Sequence, residues 1–273
     1  DSITIHIRQL IVNSIRILNL DGTLLRTPPN YIIDSELEFL TMAVSWPIEA
    51  GTEFILEISY SGFLRDDFTG FLRTSYINEA TGETVFLATT LFQPVNARAA
   101  FPCYDEVHYK TPFRVEITHN RAYNAVSNMP TSELRFSGDL ITTIFEETPP
   151  IPTYVLAFTV SDFKIVGIQE GQFKIRVAAR PSAVLAGQAY DGLELGYTML
   201  RTVEDLFQIA YSLPKSDQLA IPNIQGASNS WGLITHHEDI LLKVDSNATR
   251  QHIREMRVAH EYAVSQLTCY LIK

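Results

Sequence analysis

Apolar and polar residues alternate with a period of two over most of the first 180 positions. Phe54, Leu56, Ile58 and Tyr60 alternate with Glu53, Glu57 and Ser59, and Phe173, Ile175 and Val177 alternate with Lys174 and Arg176. Such a pattern predicts half-buried strands, one face wet and one dry. Further strands are expected at 114–118, 140–146 and 154–160. Asp21-Gly22 and Ala80-Thr81-Gly82-Glu83 read as hairpin turns between apolar runs. Thr148-Pro149-Pro150-Ile151-Pro152 must be a loop or an extended edge, because proline donates nothing to a ladder. Many short strands point to a sandwich-like β domain.

After Arg180-Pro181 the period changes. Leu193, Tyr197, Leu200, Val203, Phe207 and Ala210 recur every three or four residues, which predicts one amphipathic helix over 182–211. Strand-like runs follow at 218–222 and 232–243. A second helix is expected over 247–267, with Ile253, Met256, His260, Ala263 and Leu267 on its apolar face. The domain boundary falls near Arg180, giving units 1–180 and 181–273. The opening Asp1-Ser2-Ile3 is already strand-like and lacks a signal-peptide core, so the chain reads as entered in mid-fold, as a mature or truncated product would be.

The chain has 273 residues, 46% of them hydrophobic, so a large core is available. Lys+Arg 21 against Asp+Glu 31 leaves a net charge of -10. With no basic run, nucleic acid and anionic membrane surfaces are disfavoured as partners. No apolar run approaches the ~18 residues of a membrane span. The two cysteines, Cys103 and Cys269, show no metal-ligand spacing and read as free thiols. Asn247-Ala248-Thr249 is a glycosylation sequon, informative only in a secreted protein.

His260-Glu261 on the second helix is the strongest chemical pointer. Two histidines four apart on a helix lie ~40° from each other. Both can then bind one zinc ion, while the Glu beside the first polarises the metal-bound water. Here the position four residues on is Val264, which has no lone pair. His236-His237-Glu238 resembles a metal cluster, yet neighbours on a strand point to opposite faces, and a surface or pocket-wall role is expected. His252 and His260 stand two turns apart and would not share a metal. Asp105-Glu106 is expected to be a structural loop, and Cys103 a buried small hydrophobe.

Four segments, in order, carry a resemblance across nearly the whole chain: Gln93-Pro94-Val95-Asn96-Ala97-Arg98-Ala99-Ala100-Phe101-Pro102-Cys103-Tyr104-Asp105-Glu106, Leu213 through Pro222, Gly226-Ala227-Ser228-Asn229-Ser230-Trp231-Gly232-Leu233-Ile234-Thr235, and Arg257 through Ala263. Together they resemble the aminopeptidase N family of zinc metallopeptidases, the gluzincins. The resemblance implies a β-rich, sandwich-like N-terminal domain followed by the first part of an α+β, thermolysin-like catalytic domain. It implies release of N-terminal amino acids from peptides by zinc-activated water, in relatives that are extracellular and often membrane-anchored; no anchor is visible in this chain.

By that resemblance, Glu261 stands at the general base, His260 at a zinc ligand, and the Gly226-Ala227 backbone where substrate main chain is paired. Three positions depart from the pattern. Asn229 stands where the family's ammonium-binding Glu would be, with Ser230 beside it. Leu91 stands at a recognition Gln, and Val264 at the second zinc His. The third zinc ligand and an oxyanion Tyr would lie beyond Lys273. With one ligand, His260, zinc binding is expected to be weak or absent and Glu261 without an acidified water.

The resemblance stops abruptly after Ala263, and Val264-Ser265 can be encoded by GTG AGT, the form of an intron's splice donor. Residues 264–273 are therefore expected to be translated intron, in which case Val264 says nothing of the true gene product. The leading reading is an inactive binding or scaffold homologue. The alternatives are a fragment or misread version of an active zinc aminopeptidase, and a chain that is not stable on its own.

Overall fold

The computed structural model describes residues 1–44, 46–242 and 248–271, with side chains through Thr268. Lys243, the sequon residue Asn247, the Cys269 thiol and the last two residues lie outside the described set. At the N-terminus two three-stranded sheets face each other. One orders Ser2–His6, Phe39–Ala43 and Tyr31–Asp34; the other orders Leu24–Arg26, Ile11–Leu18 and Ile55–Ser61. Their inward residues, among them Ile5, Ile17, Leu40 and Met42, form one dry core, as the alternation required. The two expected hairpin turns are present. Gly22 and Gly82 hold left-handed backbone, and Asn19 and Asn78 close their loops onto the carbonyls of Thr23 and Glu83.

Beyond the sandwich, a four-stranded sheet orders Asn124–Ser127, Phe158–Ser161, Thr84–Leu91 and Gly70–Ile77. A three-stranded sheet orders Thr131–Ser137, Leu140–Phe145 and Glu116–Asn120. The strand expected over 154–160 is shorter: a turn of 3-10 helix covers Thr153–Val155, and extended pairing begins only at Phe158.

A five-stranded mixed sheet carries the candidate site. Its order is Lys164–Glu170, Phe173–Ala179, Lys215–Ile221, Leu233–His237, Ala227–Ser230. Phe173–Ala179 and Lys215–Ile221 pair in parallel across the boundary expected near Arg180, so this sheet begins at Lys164 and spans that point. Helices Gln188–Phe207 and Ala248–Leu271 cover one face over Val177, Ala220 and Ile234. The other face packs Leu219, Ile221 and Leu233 against Tyr76, Leu87 and Phe163 of the N-terminal part.

Three expectations after Arg180, two for helices and one for a strand, are corrected. The single helix over 182–211 is two, Pro181–Leu185 and Gln188–Phe207, because Gly187 takes φ +79° and ends the first. The run 232–243 is a strand only to His237, then a short helix Glu238–Leu241. Periodicity also chose the wrong face of the last helix. Ile253, Met256 and Leu267 are 46%, 58% and 38% exposed. The buried stripe is instead Arg254, Val258, Tyr262, Ser265 and Gln266. Tyr262 fits because its hydroxyl lies 3.3 Å from the Ser216 hydroxyl, and Arg254 because its guanidinium caps the Leu241 carbonyl at 2.7 Å.

Candidate functional site

Sequence pattern hides the strand Ala227–Ser230, in which Ala227 is followed by three polar residues. It forms because Trp231-Gly232 make a two-residue turn, Gly232 at φ +74°, that folds Ser230 back onto Leu233 and Ala227 onto His236. Gly226, at φ +72°, enters the strand and its carbonyl accepts from the His237 amide at 2.9 Å. The strand lies against helix Ala248–Leu271, and the Trp231 indole donates to the Thr268 hydroxyl at 3.1 Å. Gly226 and Ala227 therefore stand at the start of an edge strand that contacts the helix bearing His260 and Glu261.

On that helix His260 is exposed and Glu261 half-buried. Burial raises the Glu261 carboxyl above its ordinary value, only partly opposed by His260. Val264, one turn on, is part-buried. Among the described residues, no group of three or more His, Cys, Asp or Glu side chains could hold a metal ion. One exposed imidazole beside a valine does not fit a zinc ion, which takes four ligands or three and a water.

Asn229 is not left free. Its Oδ1 accepts from Gln93 Nε2 at 2.8 Å, a contact between residues 136 apart in the chain. No spacing rule could have found Gln93, since only the packing of the N-terminal part on the sheet edge brings the two carboxamides together. Leu91, two residues before it, ends a strand opposite Gly70. The pair is neutral, so it offers hydrogen bonds but no countercharge.

His236 is corrected from surface or pocket wall to core. It is fully buried and neither ring nitrogen has a hydrogen-bond partner among the described residues. His237 points the other way; its Nδ1 accepts from the Asp239 amide at 3.2 Å and caps the short helix. Glu238 pairs with Arg180 at 2.9 Å. Asp105 is buried, accepting from Arg98 Nε at 3.0 Å and the Thr153 hydroxyl at 2.6 Å. Burial pushes the Cys103 thiol far above its ordinary value, which leaves no thiolate for nucleophilic chemistry. His252 and His260 are both exposed.

The buried imidazole has a measurable consequence. Burial lowers the His236 pKa to about 3, so the unfolded chain takes a proton that the folded chain refuses. That contribution is intact above about pH 6.5 and is lost as pH falls toward the folded value, at about 1.4 kcal/mol per unit. His6, also lowered by burial, acts in the same direction. His236→Phe should therefore reduce the stability lost between pH 7 and pH 5 by about 2 kcal/mol, read from urea midpoints at each pH. A slope unchanged from the parent would refute it.

The Peptidase M1 N-terminal domain profile matches residues 1–155, and the Peptidase family M1 domain profile matches residues 192–265. The chain belongs to peptidase family M1. It is 38% identical over 224 residues to aminopeptidase Ey of Gallus gallus, covering 79% of this chain and 23% of that protein. It is 35% identical over 235 residues to aminopeptidase N of Bos taurus, covering 83% and 24%. Endoplasmic reticulum aminopeptidase 1 of Homo sapiens is 37% identical over 231 residues, with 83% and 24% covered. The chain spans about a quarter of the length of these curated relatives. Among the described residues no helix is long and apolar enough to cross a membrane.

Proposed function

We propose that residues 1–273 form a non-hydrolytic homologue of the M1 aminopeptidases, keeping the framework of a peptide-binding edge without its metal chemistry. The carrying observation is the His260/Val264 pair: a second imidazole is needed one turn on, and a hydrocarbon stands there. The neutral Asn229–Gln93 pair supports the same reading, because a carboxamide gives a peptide's terminal ammonium a weaker anchor than a carboxylate would. The position of Ala227–Ser230 as the last strand of its sheet supports a role for Gly226 and Ala227 in pairing with extended substrate backbone. Peptide N-termini are the ligand class, and an extracellular or cell-surface location follows the relatives, one of which is named an ectoenzyme.

The test is metal content and turnover together. After dialysis from excess zinc, the 273-residue protein should retain far less than one equivalent, and hydrolysis of an aminoacyl-arylamide should stay at the buffer rate. One equivalent of zinc with chelator-sensitive turnover would overturn the proposal.

A second reading, that a longer product of the gene is an active zinc aminopeptidase, is favoured by the helix after Ala263. Ser265 and Gln266 are buried there, yet Ser265 Oγ and Gln266 Oε1 have no partner among the described residues. Polar atoms stranded at core positions suit residues not selected for this packing. A transcript whose coding sequence departs from residues 264–273 after codon 263 would support this reading; uninterrupted genomic coding through Lys273 would reject the intron origin.

A further inference from the structure

The Asn229–Gln93 pair leaves polar atoms unused. Gln93 Nε2 donates to Asn229 Oδ1 at 2.8 Å. A carboxamide carries an N–H donor group and a carbonyl acceptor, so Asn229 Nδ2 keeps its protons and Gln93 Oε1 its lone pairs. Neither atom has a hydrogen-bond partner among the described residues, and no ionised side chain bonds to either carboxamide. The pair therefore presents a mixed face of donor and acceptor, without charge.

Both groups are held from behind. Asn229 lies opposite Ile234 in the antiparallel ladder, and residues directly opposite share a face of the sheet. Ile234 packs in the core under the two long helices, so Asn229 stands on the helix side of the last strand. Gln93 is fixed through its main chain. Asn96 Nδ2 donates to the Gln93 carbonyl and the Asn96 amide to the Phe92 carbonyl, each at 2.7 Å. Asn96 Oδ1 accepts from Arg8 at 2.8 Å, and Phe92 is buried. A ligand meets a preset donor and acceptor, which lowers the cost of ordering them on binding.

Free and blocked peptide termini match that face differently. An ammonium has donors only. It can bond Gln93 Oε1, but it has no acceptor for Asn229 Nδ2, whose protons are the positive end of their dipole. An acyl group replaces the ammonium with a neutral N–H and sets a carbonyl beyond it. We propose that the Ala227–Ser230 edge takes peptides with an acylated N-terminus in preference to free amino termini, the acyl carbonyl accepting from Asn229 Nδ2 and the first N–H donating to Gln93 Oε1. The acyl carbonyl is the discriminating contact, because a free terminus has no acceptor at that place. This rests on the peptide-binding reading above and not on the loss of metal chemistry.

The test is calorimetric titration of the 273-residue protein with acetyl-Ala-Val-Ser-Tyr-amide and with the same peptide bearing a free amino terminus, at about pH 7, where that terminus is mostly charged. The acetylated peptide should bind about tenfold tighter, the worth of one net hydrogen bond, and its affinity should be the same at low and high salt. The side-chain amide resonances of Asn229 should shift when it binds. Asn229→Glu keeps the acceptor for Gln93 Nε2 and removes the donor. It should reverse the order of the two peptides and make the affinity of the free-amine peptide fall with salt. Should that variant not fold, Gln93→Glu, at an exposed position, replaces it; the same reversal is expected, because a carboxylate there adds charge and takes up the Asn229 protons. Equal affinities in the parent, or a tighter free-amine peptide, overturn this inference and leave the peptide-binding edge standing. An unchanged order in the variant, or Asn229 resonances that do not move, overturns it as well. Binding of neither peptide overturns both this inference and the peptide-binding reading.

Discussion

Asp217→Ala should destabilise the chain by about 3–5 kcal/mol, the cost of breaking a buried ion pair from one side. Asp217 is 2% exposed and accepts from Lys215 Nζ at 2.7 Å and from Arg176 through both oxygens at 2.6 Å. Burial alone would raise its carboxyl; the two cations reverse this and hold it below the ordinary value. Lys215 is just as buried and also donates to the carbonyls of Ser127 at 2.7 Å and Gly232 at 2.8 Å. It therefore ties the central strand of the site's sheet to the N-terminal part and to the turn that makes the edge strand. Removing the carboxylate strands an ammonium where water cannot reach it. Lys215→Met in the same background should recover part of the loss, because the unpaired charge goes with it. Urea unfolding of the single and double variants checks this; a single-variant loss below about 1 kcal/mol, typical of an exposed pair, would contradict it.

Gly232→Ala should cost a similar amount by a different route. A Cβ there would sit 2.2 Å from the Asn128 carbonyl oxygen, with φ already at +74°. The left-handed backbone costs an L-residue about 1–2 kcal/mol, and forcing the contact apart adds about 1–3 kcal/mol. Asn128 cannot yield cheaply. Its side chain donates to the Val155 carbonyl at 2.8 Å and the Trp231 carbonyl at 2.7 Å, and accepts from the Ala157 amide at 2.8 Å. Gly138→Ala is the control, since it has φ +57° and nothing within 4 Å. It should lose only the backbone part. Equal melting-temperature shifts for the two variants would show that the contact is not felt. In Gly232→Ala, amide exchange in Ala227–Ser230 should rise before that in Phe173–Ala179, because the strained turn leads directly into the edge strand.

Much of the fold is legible along the chain. Period-two alternation placed the strand Phe173–Ala179, and glycine-bearing turns placed two hairpins, because backbone sterics and burial on one face act within a few residues. The strands at 114–118 and 140–146 were found to within two residues for the same reason. The failures have a common origin. Ala227–Ser230 carries no apolar signal, since its pairing is dictated by the Trp231-Gly232 turn and a neighbouring strand. The last helix buries Arg254, Ser265 and Gln266 and exposes Ile253 and Met256, since what a helix face meets depends on what lies beneath it.

The same division runs through the site. The sequence alone determined the family's motifs in order, the valine one turn after His260 and the uncharged residue at 229, because each is a matter of which atoms a side chain possesses. Only the tertiary structure decided that Asn229 is held by Gln93 and that His236 is a core residue whose ring nitrogens have no hydrogen-bond partner among the described residues. Those facts depend on groups far apart in the chain meeting at hydrogen-bond distance, and on burial by distant elements, which no local pattern encodes.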